Sequence, residues 1–450
     1  MKQLCIAPFV LLATLIAACI GIVANGQDLN GAWRGTLCVG PMSLNVVLNL
    51  EQTEQGLTAT LDSPDQNAKG IPATASIDGD KLTVNVAMLG AKYVATVDDG
   101  ILDGTFSQSG QSFPLKLARK LGGEIDRPQE AAIGADPNKP YREEEVKIVN
   151  GPVTLAGTLT LPKQGNHFPA VVLVPGTGPN DRDETILRHK PFLLLADALA
   201  RKGIAVLRYD KRGVGGSTAG SADDTAEELA GDALAALHYL QTRTEVNASQ
   251  VGMLGHSEGG LIAFMNAAQH GNDVAFVVSM AGPAVKGRDL MIEQNRLIAG
   301  AMGTTLPDGE LKQIEAIFDM IDKSDDAASL RTNLQQMTSG HAAWAAQVDA
   351  LCAPAYRWLI KCDPTQWLQQ VKCPMLALNG TLDSQVACET NLKAIERLVP
   401  HATVKRYDRL NHLFQTCDGW TTSLHYAAIQ ETLAPQVLTD ITDWIQHILR

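Results

Sequence analysis

The sequence predicts an α/β protein: a mostly parallel sheet covered by helices on both faces, interrupted by a helical insertion and preceded by a small antiparallel β domain. Three observations carry that prediction. Short alternating segments fill the first part of the chain after an apolar start, uniformly apolar strands alternate with amphipathic stretches in the rest, and one long late stretch has no strand pattern. Alternation marks a strand buried on one face, whereas a strand apolar throughout is buried on both. The composition supports a full-sized core, with 45% hydrophobic and 19% charged residues over 450 positions. A formal net charge of −12 argues against nucleic acid as a partner, because that binding is dominated by basic contacts to phosphate.

Residues 1–26 read as a signal peptide. Lys2 gives a basic start, residues 4–23 are a nearly unbroken apolar run, and the small residues Ala24 and Gly26 precede a cut before Gln27. This predicts export, to the periplasm or beyond, with no stable membrane insertion after cleavage. Two variants stay open. The run approaches the ~20 residues of a membrane span, and Ile16-Ala17-Ala18-Cys19 has the form of a lipoprotein anchor at Cys19. Against the latter, the run continues apolar through Ile20, Ile22 and Val23.

Residues 27–121 are predicted as the antiparallel β domain. Alternation is plain at residues 44–50, 57–61, 81–86 and 113–117, with turn signals such as Asp78-Gly79-Asp80 between strands. Such spacing suits a sandwich or a small barrel. It holds no catalytic constellation, so a structural or binding appendage is the expected role. Residues 122–141, rich in Gly, Pro, Asp and Asn, read as a linker.

Residues 142–450 form the larger domain. A hairpin at residues 144–149 and 153–161 leads into apolar strands at 170–174, 204–207, 251–254, 274–280 and 375–378, with helices expected at 192–202, 225–242 and 259–270. Residues 283–371 are read as a helical cap inserted into this alternation. Its Trp344, Tyr356, Trp358, Leu359 and Trp367 either line an acyl pocket or form the core of the cap. Beyond Cys5 and Cys19 the cysteines are Cys38, Cys352, Cys362, Cys373, Cys388 and Cys417. Their spacing suggests no zinc site. Disulfides joining Cys352 with Cys362 and Cys388 with Cys417 are one expectation, and buried free thiols the other.

The chemistry centres on Gly255-His256-Ser257-Glu258-Gly259, which follows one apolar strand directly and opens a helix. A sharp turn there holds the serine in a strained conformation at the carboxyl edge of the sheet, and glycines let neighbouring backbone pass. The next N–H, that of Glu258, points to where an oxyanion forms. A nucleophilic serine needs a base and an orienting acid, in the chain order Ser, Asp, His for this arrangement. Asp383 lies past the strand at 375–378, and His412 lies on the loop after the strand at 402–407. Asp408, His401 and His425 are the rivals, none of them at the expected strand end. The second oxyanion donor is expected in Pro175-Gly176-Thr177-Gly178-Pro179, with the Thr177 N–H first and Gly178 second.

At these residues the chain resembles the α/β-hydrolase superfamily, and more narrowly bacterial esterases of the EstD type, grouped with serine aminopeptidase-like hydrolases. The matching pieces are PGTGPNDRDE at 175–184, RYDKRGVGGS at 208–217, GHSEGG at 255–260, LNGTLDSQV at 378–386 and NHLFQ at 411–415. The resemblance spans about residues 140–450. It implies an α/β-hydrolase fold and hydrolysis of short acyl esters by a Ser–His–Asp triad, with no cofactor and a small-molecule ester as partner.

Two neighbouring charges are given other roles. Asp210 is expected to fix a turn, and Glu258 to pair with Arg182 or Arg212 and so brace the oxyanion loop. The competing functions are a peptidase with the same triad, in which Glu258 attracts a substrate amine, and a binding protein whose β domain does the work. The oligomeric state is left open.

Overall fold

The computed structural model describes residues 29–39, 42–53, 56–63, 68–98, 101–108, 111–118, 127–301, 303–339, 345, 347–422, 425–426 and 429–450. The expected signal peptide with its cut before Gln27, the Cys19 anchor and Trp344 lie outside these residues, as does the side chain of Cys38. The chain divides into two compact units, Met1–Asp126 and Arg127–Arg450.

The first unit is a closed barrel of eight strands: β1 (Gly31–Val39), β2 (Met42–Thr53), β3 (Gly56–Ser63), β4 (Ala68–Asp78), β5 (Lys81–Val86), β6 (Ala91–Asp98), β7 (Ile101–Gln108) and β8 (Gln111–Ala118). Each strand is antiparallel to the next, and β1 closes on β8 through Arg34 and Ala118. Alternation sends Trp33, Leu48, Leu82, Val84, Tyr93 and Leu102 inward, where they fill the barrel. Two polar tips inside are satisfied. The Trp33 indole N–H donates to Leu29 O (2.9 Å), and the Tyr93 hydroxyl reaches Leu102 O (2.9 Å) and Leu115 O (3.0 Å).

The second unit opens with α1 (Pro128–Ala135), which corrects the reading of residues 122–141 as linker throughout. Pro128 sits where a helix start tolerates proline. Gln129 accepts from Thr432 N and Leu433 N, and Ile133 joins the main core, so α1 is part of this unit.

Eight strands follow: β9 (Tyr141–Asn150), β10 (Val153–Pro162), β11 (Phe168–Val174), β12 (Ala205–Tyr209), β13 (Val246–His256), β14 (Val277–Met280), β15 (Met375–Gly380) and β16 (Thr403–Tyr407). They form one sheet in the order β16-β15-β14-β13-β11-β12-β10-β9, antiparallel only where β10 pairs with β9 and β12. This is the α/β-hydrolase arrangement.

Five helices cover the sheet: α2 (Pro191–Arg201), α3 (Ala226–Gln241), α4 (Glu258–Gln269), α11 (Cys388–Leu398) and α12 (Pro435–Ile448). The strands read as uniformly apolar because both faces are covered. Val171 and Leu173 pack with Leu195 and Leu199 of α2 and Ile441 of α12. Val172 and Val174 pack with Leu237 of α3, Leu261 of α4 and Ile395 of α11. A capping box starts α3: the Thr225 hydroxyl accepts from backbone N–H groups, and the Glu228 carboxylate takes the Thr225 N–H at 2.7 Å.

Between β14 and β15 lie α5 (Gly287–Ala301), α6 (Asp308–Lys323), α7 (Ala327–Thr338), α8 (Val348–Leu351), α9 (Pro354–Lys361) and α10 (Thr365–Leu368). This insertion has its own core around Ile317, Phe318, Ile321, Leu334 and Ile360. Four of its described aromatic residues pack on one another: Tyr356 meets Phe318 at 6.4 Å between ring centroids, and Trp358 stacks on Trp367 at 6.2 Å against the sheet's own core. The expected disulfides are not formed. Cys352 packs in the insertion's core and Cys362 in the sheet's, and Cys388 and Cys417 are free thiols. Among the described residues, no helix is long and apolar enough to cross a membrane.

Candidate active site

Parallel strands aim their carboxyl ends at one edge of the sheet, and the loops leaving β11, β13, β15 and β16 meet there. Ser257 stands between β13 and α4 with φ of 53° and ψ of −120°, a conformation that a side chain with a Cβ adopts only under constraint. Its N–H is tied to Met280 O at 2.8 Å. Two glycines make the turn sterically possible. A Cβ on Gly255 would lie 2.0 Å from Gly259 O, and one on Gly259 would lie 1.9 Å from Val174 O at the end of β11.

Asp383 and His412 are both buried, and His412 Nδ1 meets Asp383 Oδ2 at 2.7 Å. The other carboxylate oxygen accepts the N–H groups of Gln385 (2.8 Å) and Val386 (2.9 Å), which fixes the carboxylate plane. His412 is presented by a tight loop in which Asn411 Oδ1 accepts the N–H groups of Leu413 and Gln415, and Phe414 takes φ of 59°. With Nδ1 engaged, Nε2 is the ring nitrogen left for proton transfer. Ser257 Oγ makes no hydrogen bond among the described residues; in an unliganded site that contact commonly tightens only when substrate binds. The rivals lie elsewhere: Asp408 accepts from Thr381, His401 meets Cys373 O, and His425 meets the Thr422 N–H.

The loop after β11 is held from three sides. Glu184 Oε1 accepts the Gly176 N–H at 2.6 Å, while Gly176 O accepts from Asn180 Nδ2 (2.7 Å) and Lys211 Nζ (2.9 Å). Gly178 takes φ of +102°. Among the described residues, the N–H groups of Thr177, Gly178 and Glu258 donate to no protein acceptor, so both candidates of the loop stay open beside Glu258.

The Glu258 carboxylate pairs with Lys211 Nζ at 3.1 Å, not with Arg182 or Arg212. Arg182 is committed to Asp210 and Glu145, and Arg212 to Asp224 and Asp232. The bracing of the oxyanion loop survives the correction, because the same Lys211 ammonium holds Gly176 O. Asp210 organises its turn through the N–H groups of Arg182 (2.8 Å) and Gly216 (3.2 Å). Burial pushes its carboxyl up, but hydrogen bonds from Arg182 and Gly216 outweigh that and hold it below the ordinary carboxylate range.

Sequence reasoning assigned no role to Glu184, His256, Asn180 or Lys211, although all four lie in motifs it singled out. His256 Nδ1 meets Glu184 Oε1 at 3.0 Å, and its Nε2 meets His412 O at 3.0 Å. Burial works to lower the His256 pKa, but the charge and hydrogen bond of Glu184 outweigh it, so the ring titrates above its ordinary value.

The family described as "Serine aminopeptidase, S33" matches residues 189–416, just over half of the chain. The chain is 31% identical over 307 residues to esterase EstD of Thermotoga maritima, covering 67% of either chain. Among solved structures, Est1E from Butyrivibrio proteoclasticus with ferulic acid bound aligns over 68% of this chain and 99% of its own, at 16% identity and a TM-score of 0.43. The Pyrococcus furiosus esterase Pf2001 aligns over 69% of this chain and 92% of its own, at 15% identity and a TM-score of 0.43. The matched span encloses the strand–serine–helix turn and the Asp–His pair, and the chain belongs to the serine aminopeptidase S33 family of serine hydrolases.

Proposed function

We propose that the protein is an exported carboxylesterase that hydrolyses short-chain esters through an acyl-enzyme intermediate. The observation that carries the reading is the 2.7 Å Asp383–His412 pair at the sheet edge that also holds Ser257 in its strained turn. The likeness to an esterase over two thirds of the chain supports it.

Ser257 Oγ attacks the acyl carbon while His412 Nε2 takes its proton. The negative charge that develops on the carbonyl oxygen is met by the Thr177 and Glu258 N–H groups. His412 then gives the proton to the leaving alkoxide, and water repeats the sequence on the acyl-serine. Asp383 keeps the proton of His412 on Nδ1 and stabilises the imidazolium between these steps.

The test is turnover of p-nitrophenyl esters from C2 to C12 by the purified protein beside Ser257→Ala. Activity that falls with chain length and drops on the order of 10⁶-fold in the variant is expected. Acetate or butyrate turnover unchanged in Ser257→Ala overturns the mechanism. Export is read separately, from a mature amino terminus at Gln27 in protein recovered outside the cytoplasm.

The second reading is an aminopeptidase with the same triad, which the family's description favours. The carboxylate that would attract a substrate amine, Glu258, is engaged by Lys211, which weighs against it. Matched ester and anilide substrates separate the two readings.

A further inference from the structure

Beside the Asp383–His412 pair lies a second buried acid–imidazole pair that the reaction above does not use. Glu184 and His256 are both buried, 1% and 4% exposed. Together they touch three separate pieces of the site. Glu184 Oε1 accepts the Gly176 N–H of the oxyanion loop, His256 adjoins Ser257, and His256 Nε2 faces the backbone carbonyl of His412. The two histidine rings lie 4.8 Å apart between centroids. Glu184 takes φ of +50°, so the backbone accepts a strained conformation at the residue whose carboxylate enters the site.

The geometry dictates where the protons are. A neutral imidazole has one N–H, yet both nitrogens of His256 sit 3.0 Å from an oxygen acceptor. Three arrangements are possible: one contact sets lone pair against lone pair, the carboxyl of Glu184 holds the proton it shares with Nδ1, or the ring carries a proton on each nitrogen. The short 2.6 Å approach of the Gly176 N–H to Glu184 Oε1 favours a charged acceptor there, and a carboxylate beside the ring favours the doubly protonated form.

We propose that Glu184 and His256 are a positioning pair: the carboxylate keeps His256 protonated on both nitrogens, so that one ring clamps the His412 loop and the oxyanion loop to the serine turn at once. The inference rests on Ser257 and His412 acting as proposed above. Neither Glu184 nor His256 transfers a proton in the reaction. If His256 loses one proton, it keeps one of its two contacts and releases the other loop.

The charged and titratable groups around the ring are Glu184 from the loop after β11, Asp383 from the loop after β15 and His412 from the loop after β16. The α2 and β14 side chains that share its cavity, Phe192, Leu195 and Met280, are apolar. Alkaline loss of activity is therefore governed chiefly by Glu184.

The experiment compares the kcat pH profiles of Glu184→Gln and Glu184→Asp with the unaltered protein. Gln matches the size of Glu and lacks its charge, while Asp keeps the charge and is shorter. Glu184→Gln is expected to lower kcat at pH 8.5 at least tenfold with KM within threefold, and to move the alkaline limb down by at least one pH unit. Glu184→Asp is expected to retain that limb. A profile of Glu184→Gln superimposable on the unaltered protein overturns the proposal, as does Glu184→Asp losing as much as Glu184→Gln, which is the pattern of packing alone.

Nitrogen-15 NMR of the unaltered protein at pH 8, with the His256 resonances assigned by their loss in His256→Gln, gives a readout independent of folding variants and of activity. Two protonated ring nitrogens are expected, and a neutral ring overturns the pair. An absence of ester turnover in the unaltered protein defeats the esterase reading instead, and the NMR result still decides the protonation of His256.

Discussion

The barrel and the α/β unit solve the same problem of burial in opposite ways. Among the described residues of the barrel, those with positive φ are glycines, Gly31, Gly56, Gly70, Gly79 and Gly90. Among its described residues, no Asp, Glu, Lys, Arg or His is buried. Among the described residues of the α/β unit, eight that are not glycine take positive φ, Glu184, Ser257, Ala281, Arg409 and Phe414 among them, and Glu184, Arg208, Asp210, Lys211, Asp232, His256, Asp383 and His412 are buried. Buried ions and left-handed side-chain residues each cost free energy that apolar packing does not. One chain thus contains a region built without such costs and a region where they gather around a single sheet edge. The difference marks which part of the molecule performs chemistry without any appeal to relatives.

The largest effect expected from this comparison is Trp33→Ala. It removes a fully buried ring from the barrel and should destabilise that unit by about 3–5 kcal/mol. Denaturant melts followed by far-UV circular dichroism should show the barrel transition moving down while kcat for a short ester stays unchanged. A parallel fall in kcat breaks the division of labour. Next comes Lys211→Met, which removes one of the two donors to Gly176 O and leaves the Glu258 carboxylate without its cation. Displacing an oxyanion donor should lower kcat about ten- to a hundredfold with the barrel transition unmoved. Unchanged kcat would show that Lys211 braces nothing the reaction uses.

The smallest effect sharpens the contrast between fully and partly buried charge. Glu245 is hydrogen-bonded by Arg243 at 2.8 Å and 3.2 Å, which holds its carboxyl down to about 2 from 4.5. A depressed carboxyl contributes its stability in full above pH 4.5 and loses it as the pH falls from there through about 2. Solvent screening keeps that contribution below about 1 kcal/mol. In Glu245→Gln the urea midpoint should fall slightly at pH 7 and match the unaltered protein near pH 2. A loss well above about 1 kcal/mol would mean that this partly exposed pair behaves as a fully buried one.

Much of this was legible in the sequence because it is local. The turn at Ser257 is written in consecutive residues, and Asp383 and His412 were located by counting strands, since each follows the end of a strand that its apolar run announces. Closure of the barrel was not legible, because alternation reports that one face is buried and not whether β1 finds β8. The helix α1 was masked by Gly, Pro and Asp around it, although Pro128 followed by Gln129 and Glu130 is a sound helix start. The partner of Glu258 depended on which of three basic side chains points at it, Arg182 on the loop after β11 or Lys211 and Arg212 on the turn after β12. The Glu184–His256 pair joins residues 72 positions apart and has no signature in spacing. Hydrophobic period reveals where a strand ends, but the pairing of two buried polar groups is decided by the loops that those ends launch.

The insertion departs from the sheet after β14 and comes back as β15, and these two strands are immediate neighbours, with Met280 opposite Leu378. Because the two strands are parallel, the insertion leaves from the carboxyl end of β14 and returns at the amino end of β15, one strand spacing aside and one short strand length back. A segment tethered in that way behaves as a cassette: it can lengthen, shorten or be exchanged for another without altering any register in the sheet. Descent from a common ancestor could in this way remodel what the enzyme accepts while the serine, acid and imidazole keep their places.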